Sequence, residues 1–443
     1  MQVNRVVVGI FWAGLVICAV IMLWSGSSAQ LGSDDIHWIK GEPSTVYDNY
    51  RVLPRLLFRG LHAQTTGSVS AAYAMIFAFH LLNSFLVYHL AGRLLVGQHT
   101  PHIAAAVFLI NPLTLGTLTW IASFSYVLGA TCGLVTLLAS WHALTATNWQ
   151  RRSGCGMIGL VALVCGLLSS HVLLFLPLAF GLIAWIQPQA DRSGAALLTV
   201  MGLGISAVIY ILHYDFVPTE ISPAQSLSAD FPATYSSSVL ALLPMLGVAY
   251  ILSFLGGDID FMTSAFKAPL RWALAMLVAT AIGAYGWQNR ERTRRWLALL
   301  ALFILLISPY ILRLYMLSGF FNYHPSYMLG GRVFYIPFIS VAMIIAAFCS
   351  QIIQQSTWRL GSLVLAFGLL FATWLVAVEQ SNAYQGLTAV AGTPGPKPPT
   401  WAAFEESEGI WPLVWGTTAI VWMTLYVVGM RRINTSEVND GLV

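Results

Sequence analysis

The chain has 443 residues, of which 58% are apolar and 9% charged. A soluble domain carries about 25% charged residues, so a water-soluble enzyme is excluded, and a net charge of +4 is too small to mark a nucleic-acid binder. The apolar runs are about 18–22 residues long, the length of a helix and not of the roughly 10-residue alternating strands of a barrel, so the sequence predicts an all-α polytopic membrane protein.

The first run, Val6–Trp24, follows Arg5. It is longer than the roughly 7–15 residues of a signal-peptide core, so it is read as a retained span and not as a leader cut near Ser28-Ala29. Further spans are predicted at Val69–Leu90, Ile103–Ile121, Val127–Thr145, Gly156–Leu168, Val172–Ile186, Ala195–His213, Ser238–Leu255, Trp272–Trp287, Trp296–Leu317, Val333–Ile353, Leu360–Val378 and Trp411–Met430. The five cysteines all lie in apolar runs and show no metal-ligand spacing, so they are read as small hydrophobes.

Basic residues in short loops set the orientation. Arg5, Arg93, Arg151-Arg152, Arg192, the cluster from Arg290 to Arg295, Arg359 and Arg431-Arg432 are all predicted inside. Between Arg192 and Arg290 one apolar run is then too many to cross. Ser238–Leu255 contains Pro244 and ends in Gly256-Gly257, so it is expected to be re-entrant or half-buried. About twelve crossings remain, with both termini inside. The long loops fall outside: Ser25–Ser68, Tyr214–Ser237, Gly256–Arg271, Ser318–Arg332 and Glu379–Gly409. Long loops are where membrane enzymes keep their chemistry.

Asp34 and Asp35 stand just after the first span, in Gly32-Ser33-Asp34-Asp35-Ile36-His37-Trp38. Adjacent carboxylates point apart on an extended strand. One can face a cavity as a general base while its neighbour holds a metal, a backbone donor or a sugar hydroxyl. A solvated loop or a helix cap at Ile36 is the plainer alternative. Arg51, Arg55 and Arg59 follow at a spacing of four, on one face of an interfacial helix with Leu53, Leu56, Leu57 and Phe58 around the rest. A guanidinium stripe on the outer side suits an anionic headgroup, since it pairs bidentately with phosphate. Pro54 interrupts that stripe.

Arg313 lies inside a span near its outer end, and Arg332 opens the next in Gly330-Gly331-Arg332-Val333-Phe334-Tyr335-Ile336-Pro337. A cation at membrane depth is costly and is a functional candidate by default. His324 belongs to the Tyr- and His-rich loop between them. His80 and Asn83 share a helix face and are expected to join helices as polar glue. His171 marks a tight outer turn, placed to reach a substrate or to cap a helix.

In combination these features resemble the GT-C superfamily of membrane glycosyltransferases, closest to the transmembrane and tetratricopeptide-repeat O-mannosyltransferases and their bacterial relatives. The paired acids Asp34-Asp35 follow the first span. His80-Leu81-Leu82-Asn83 is similar to the family's His-x-x-Asn pattern. Asn111-Pro112-Leu113 with Trp120-Ile121 resembles its turn between spans three and four, and the Gly330–Pro337 stretch its Arg-Tyr-Leu-Tyr-x-Pro stretch. The chain departs from the pattern where relatives carry His, Glu, Arg and Asp. Here those positions read Thr114, Gly116, Phe124 and Tyr126; a Lys-Glu pair reads Ser170-His171, and the repeats are absent.

The resemblance implies a GT-C fold over residues 1–345, including the outer loop 25–68, with residues 346–443 adding C-terminal helices and the outer loop 379–409. It implies an inverting transfer from a polyprenyl-phosphate-linked sugar on the periplasmic side of a bacterial inner membrane. The acceptor would be a lipid-linked glycan, a polysaccharide or a protein. Asp34 or Asp35 is then the base and Arg332 the leaving-group partner. Arg313, Arg55, Arg59 and Tyr335 are assigned to the donor phosphate, and His37, Trp38, His171 and His324 to the substrate cavity. No cofactor is demanded; a divalent Mg or Mn ion is compatible with the paired acids. Two competing readings remain. A polymerase or ligase of undecaprenyl-linked glycans predicts essential late arginines and dispensable aspartates. A transporter predicts inverted repeats and broken mid-membrane helices.

Overall fold

A computed structural model of the chain describes residues 12–14, 51–65, 68–97, 100–109, 117–118, 121–213, 290–316 and 335–355. Among these residues there is no β-strand. The helices are α1 Val52–Thr65, α2 Val69–Leu94, α3 Thr100–Leu109, α4 Phe124–Thr145, α5 Trp149–Leu167, α6 Leu178–Ile186, α7 Arg192–His213, α8 Arg290–Met316 and α9 Phe338–Gln355, with 3-10 turns at Ile121–Ser123 and His171–Leu173. Val69–Leu94, Phe124–Thr145 and Arg192–Leu212 are each long and apolar enough to cross a membrane.

Local chemistry explains the boundaries. Ser68 caps α2 by accepting from the Ala71 amide, and Asn148 caps α5 by accepting from the Gln150 amide. Gly97 has φ 127° in the turn leaving α2, a conformation that favours glycine. The expected span Val172–Ile186 is not one α-helix. It opens in a 3-10 turn, with Ser170 accepting from the Val172 amide, and becomes α-helical only at Leu178, after Pro177. Proline suits a helix start because that position needs no N–H partner. Thr100–Leu109 likewise covers only part of the expected span Ile103–Ile121; residues 110–116 are outside the described set.

The main packing pairs are α4 with α5, α3 with α2 and α9, α2 with α4, α6 with α7, and α8 with α6 and α9. One apolar core runs through them, from Phe58, Tyr73 and Ile76 through Phe108, Phe124 and Leu134 to Ile336 and Phe338. The outward faces are apolar as well. Met157, Ile158 and Val161 on α5 and Leu197, Val200, Met201 and Val208 on α7 are exposed. That face belongs in lipid, where such groups are at rest.

Both ends of the bundle carry arginines, but among the described side chains only one end has a carboxylate. At the end called inner, Arg152 pairs with Asp191 at 2.7 Å. The Asp191 amide donates to the Leu144 carbonyl at 3.0 Å, and Arg295 donates to the Leu94 carbonyl at 3.2 Å. Arg93 and Arg151 both act on His142 there. Exposed Trp149 and Trp185 suit the amphipathic boundary of a bilayer. Of the loop arginines read as same-sided from the sequence, Arg93, Arg151, Arg152, Arg192 and Arg295 lie at this end, while Arg5, Arg359 and Arg431-Arg432 lie outside the described residues. Spans expected at Ser238–Leu255, Trp272–Trp287, Leu360–Val378 and Trp411–Met430 lie outside the described residues, as does Val6–Trp24 apart from 12–14. The boundary drawn at residue 345 falls within α9, which continues to Gln355.

Candidate functional site

The opposite end, called outer, carries α1. Pro54 does not break the arginine stripe, because it lies in the first turn of α1, where a proline costs no hydrogen bond. The Arg55 amide still donates to the Arg51 carbonyl at 3.2 Å, so the spacing of four holds across it. Phe58 is 1% exposed and meets Phe124 edge-on at 5.3 Å. Phe124 in turn meets Phe79 on α2 at 5.4 Å. The Leu53 amide donates to the Leu168 carbonyl at 3.4 Å, and the Arg51 guanidinium stands over the Tyr126 ring, 5.7 Å from its centroid. α1 is therefore held against the outer ends of α4, α5 and α2.

The arginines on α1 differ in setting. Arg59 is exposed and Arg55 half-buried. Burial first, and then the neighbouring positive charge of Arg59, lower the Arg55 guanidinium from its usual value. Two cations one helical turn apart repel each other, and an anion between them would relieve both.

Below this face lies a buried polar cluster. His80 Nδ1 is 2.7 Å from the Tyr335 hydroxyl, and His80 Nε2 is 3.0 Å from the Leu109 carbonyl. Asn83 Nδ2 donates to the Val127 carbonyl at 2.9 Å and to the Tyr335 oxygen at 3.2 Å. Thr131 donates to Asn83 Oδ1 at 2.7 Å. Ser84 donates separately to the Ala105 carbonyl at 2.9 Å. His80, Asn83 and Ser84 are fully buried and Tyr335 is 1% exposed. The expectation that His80 and Asn83 join helices is met: they bring α2, α3, α4 and the turn before α9 together.

The predicted site residues distribute as follows. Arg55 and Arg59 share α1. His171 begins the second 3-10 turn and is partly buried. Arg313 lies in the last turns of α8, beyond Pro309. That proline removes the amide that would serve the Leu305 carbonyl, and the Ser308 hydroxyl donates to it instead at 3.1 Å. Tyr335, expected at the donor phosphate, has its hydroxyl engaged by His80 and Asn83. Asp34, Asp35, His37, Trp38, His324 and Arg332 lie outside the described residues. Tyr126 and Thr131 were missed as participants. Thr131 could have been suspected as a polar residue in mid-span, one helical turn after Val127. Among the described residues no group of three or more His, Cys, Asp or Glu side chains is gathered to hold a metal.

No known protein family matches the sequence, and no curated protein does. Among solved structures, the chain is similar to an archaeal oligosaccharyltransferase. One match is AglB from Archaeoglobus fulgidus in complex with an inhibitory peptide and a dolichol-phosphate, with a TM-score of 0.45 and 15% identity, over 90% of this chain and 59% of that one. Another is the Archaeoglobus fulgidus oligosaccharyltransferase in complex with Zn and sulfate, with a TM-score of 0.44 and 16% identity, over 89% and 57%. The chain thus spans less than two thirds of the length of either.

Proposed function

We propose that this protein is a membrane glycosyltransferase that moves a sugar from a polyprenyl-phosphate donor to an acceptor hydroxyl, on the outer side of a bacterial inner membrane. The observation that carries the proposal is the mounting of α1. Phe58 and Arg51 pin this arginine-bearing helix to the end of an apolar bundle opposite the inner arginines. An arginine-bearing helix at that end suits a lipid-borne phosphate, because a guanidinium pairs bidentately with phosphate oxygens.

In the reaction, Asp34 or Asp35 takes the proton of the acceptor hydroxyl. The freed oxygen attacks the anomeric carbon as the bond from that carbon to the phosphate oxygen breaks. The configuration at the anomeric carbon inverts, and polyprenyl phosphate leaves with the bonding electrons. Arg332 meets the developing phosphate charge, Arg313 adds to it, and Arg55 and Arg59 hold the headgroup at the surface. His37, Trp38, His171 and His324 border the substrate. The second aspartate is the group available to a Mg or Mn ion. Residues 1–345 form the catalytic module and 346–443 its C-terminal extension.

The test is complementation of a deletion strain with wild type, Asp34→Asn or Asp35→Asn, reading surface glycans and glycoproteins by mass spectrometry. Asparagine keeps the size and removes the base. One variant should reach the membrane at normal level and fail to restore a glycan that wild type restores. Full restoration by both would defeat this mechanism in favour of an arginine-centred polymerase or a transporter.

A further inference from the structure

The end called inner carries a feature that sugar transfer does not use. On α8, Arg295, Ala298, Leu299 and Leu302 recur at i, i+3, i+4 and i+7, and on α6 Ala179, Leu182, Ile183 and Ile186 recur at the same spacing. Each set is therefore one face of its helix. Facing apolar stripes normally interdigitate to crystal-like density. Here the two stripes, with Leu90 and Leu94 of α2 and Leu137 of α4, border a groove of about 390 Å³ that is partly open to its surroundings.

The groove has a charged mouth and an apolar body. Among the described residues that line it, only Arg295 is charged. Leu302 lies seven residues further along α8, about 10 Å deeper into the bundle. Ile186 lines the mouth as the last residue of α6. It follows exposed Trp185, a residue suited to headgroup level. Arg295 is half-buried, and one of its N–H groups donates to the Leu94 carbonyl at 3.2 Å. That bond orients a planar fork of five donors, whose other edge is suited to pair bidentately with a phosphate. Arg93 and Arg151, exposed at the same end, add to the positive field. The Asp191 carboxylate there is already engaged by Arg152 and Ser193. A free anion would use only the mouth of this groove, and an uncharged lipid would use only its body. A basic pocket between helices that continues into an apolar slot matches a lipid with an anionic headgroup.

We infer that the groove between α6 and α8 is a binding site for one anionic phospholipid of the adjacent leaflet, with its phosphate on Arg295 and an acyl chain along the apolar faces of the two helices. The lipid fills the space that the two stripes leave between them. The stability of this end of the bundle therefore depends on the charge of the leaflet around it. The inference is independent of the transferase reading.

Neighbouring arginines on α8 provide the experiment. Full-length protein in a neutral detergent is titrated with phosphatidylglycerol, phosphatidylcholine or glycerol phosphate, and thermal unfolding is followed. Phosphatidylglycerol should raise the melting temperature to a plateau, as a ligand of the folded state does. Phosphatidylcholine should act about 5-fold more weakly, the scale of one basic residue on an anionic headgroup, and glycerol phosphate should do nothing at the same phosphate concentration. Arg295→Gln should raise the half-maximal phosphatidylglycerol concentration about 10- to 100-fold, the scale of a hydrogen bond to a charged partner. Arg294→Gln removes the same charge from an exposed neighbour that does not line the groove, and should stay within about threefold of wild type. Ala298→Leu keeps Arg295 but fills the groove; it should also weaken the response to phosphatidylglycerol, and serves where Arg295→Gln does not fold. Equal stabilisation by the two phospholipids, or equal responses of the Arg295 and Arg294 variants, would overturn the site. Stabilisation by glycerol phosphate alone would reduce it to an anion site without the groove. Tighter binding of polyprenyl phosphate than of phosphatidylglycerol would give the groove to another lipid, and either result overturns the inference.

Discussion

The docking of α1 rests on one side chain more than any other, and Phe58→Ala is the perturbation that exposes this. Phe58 is 1% exposed, with its ring 5.3 Å from Phe124 at an interplanar angle of 78°. In a water-soluble core the change would cost about 3–5 kcal/mol. Here the undocked helix lies at the lipid surface and not in water, so part of the transfer term is retained. The remaining loss is packing plus an aromatic pair of about 0.5–1.5 kcal/mol, or about 1–3 kcal/mol altogether. The docking equilibrium should shift by about 5- to 150-fold. Trypsin reads this directly, since Arg55 and Arg59 sit on α1 and cleavage follows the open population when opening is fast. Phe58→Ala in nanodiscs should be cut faster by that factor, and Leu56→Ala, whose side chain is 55% exposed, at the wild-type rate. Equal cutting of wild type and Phe58→Ala, at equal helicity, would refute the anchor.

Two further outcomes follow from the geometry. Ser193, the Gly194 amide and Arg152, in that order, hold the Asp191 carboxyl below its usual range. A carboxyl lowered in the folded state stabilises above its unfolded pKa, near 3.9, and loses that contribution as pH falls through the folded value. Asp191→Asn should therefore melt lower than wild type at neutral pH, by no more than about 1 kcal/mol for a partly exposed pair, and the two melting curves should converge below about pH 4; a gap that persists in acid would contradict this. On α7, a Cβ at Gly202 would lie 2.8 Å from Cβ and 2.9 Å from Cγ of Pro177, a rigid ring, whereas one at Gly204 meets nothing within 4 Å. Gly202→Ala should cost about 1–3 kcal/mol and Gly204→Ala nothing, measured by thermal unfolding in detergent.

The sequence was most legible where hydropathy alone sets the element. Expected spans Val69–Leu90, Val127–Thr145 and Ala195–His213 correspond to α2, α4 and α7 within a turn at each end, because the thickness of lipid fixes how long an apolar run must be. It was least legible where the backbone changes helix type inside an apolar run. Val172 to Pro177 is as apolar as Leu178 to Ile186, so composition joins what the Ser170 cap and Pro177 divide. The i, i+3 spacing of His80 and Asn83 was readable as interhelical glue. Their partner was not, since Tyr335 is 255 residues from His80 and no periodicity links residues so far apart. The candidate acids lie outside the described residues, so the base assignment still stands on the sequence.

Charge sorting narrows where that base can be. Asp191 is the only carboxylate among the described side chains, and it is tied to Arg152 and Ser193 at the inner end. α1 brings arginines to the outer end and no acid with them. A transferase that deprotonates a sugar or protein hydroxyl needs a carboxylate on the side where the donor phosphate is held. Among the described residues no carboxylate stands at that end, and the proposed reading draws the base from an outer loop. On the expected topology most of the chain's acids fall in such loops, and Asp34 and Asp35 share with Glu42 and Asp48 the loop that leads into α1. If α1 is where the donor headgroup is held, its anchor and the base share one connected segment. Loosening Phe58 should then impair transfer even with both aspartates intact, whereas a base in a late loop would leave the step's pH dependence untouched by Asp34→Asn and Asp35→Asn alike.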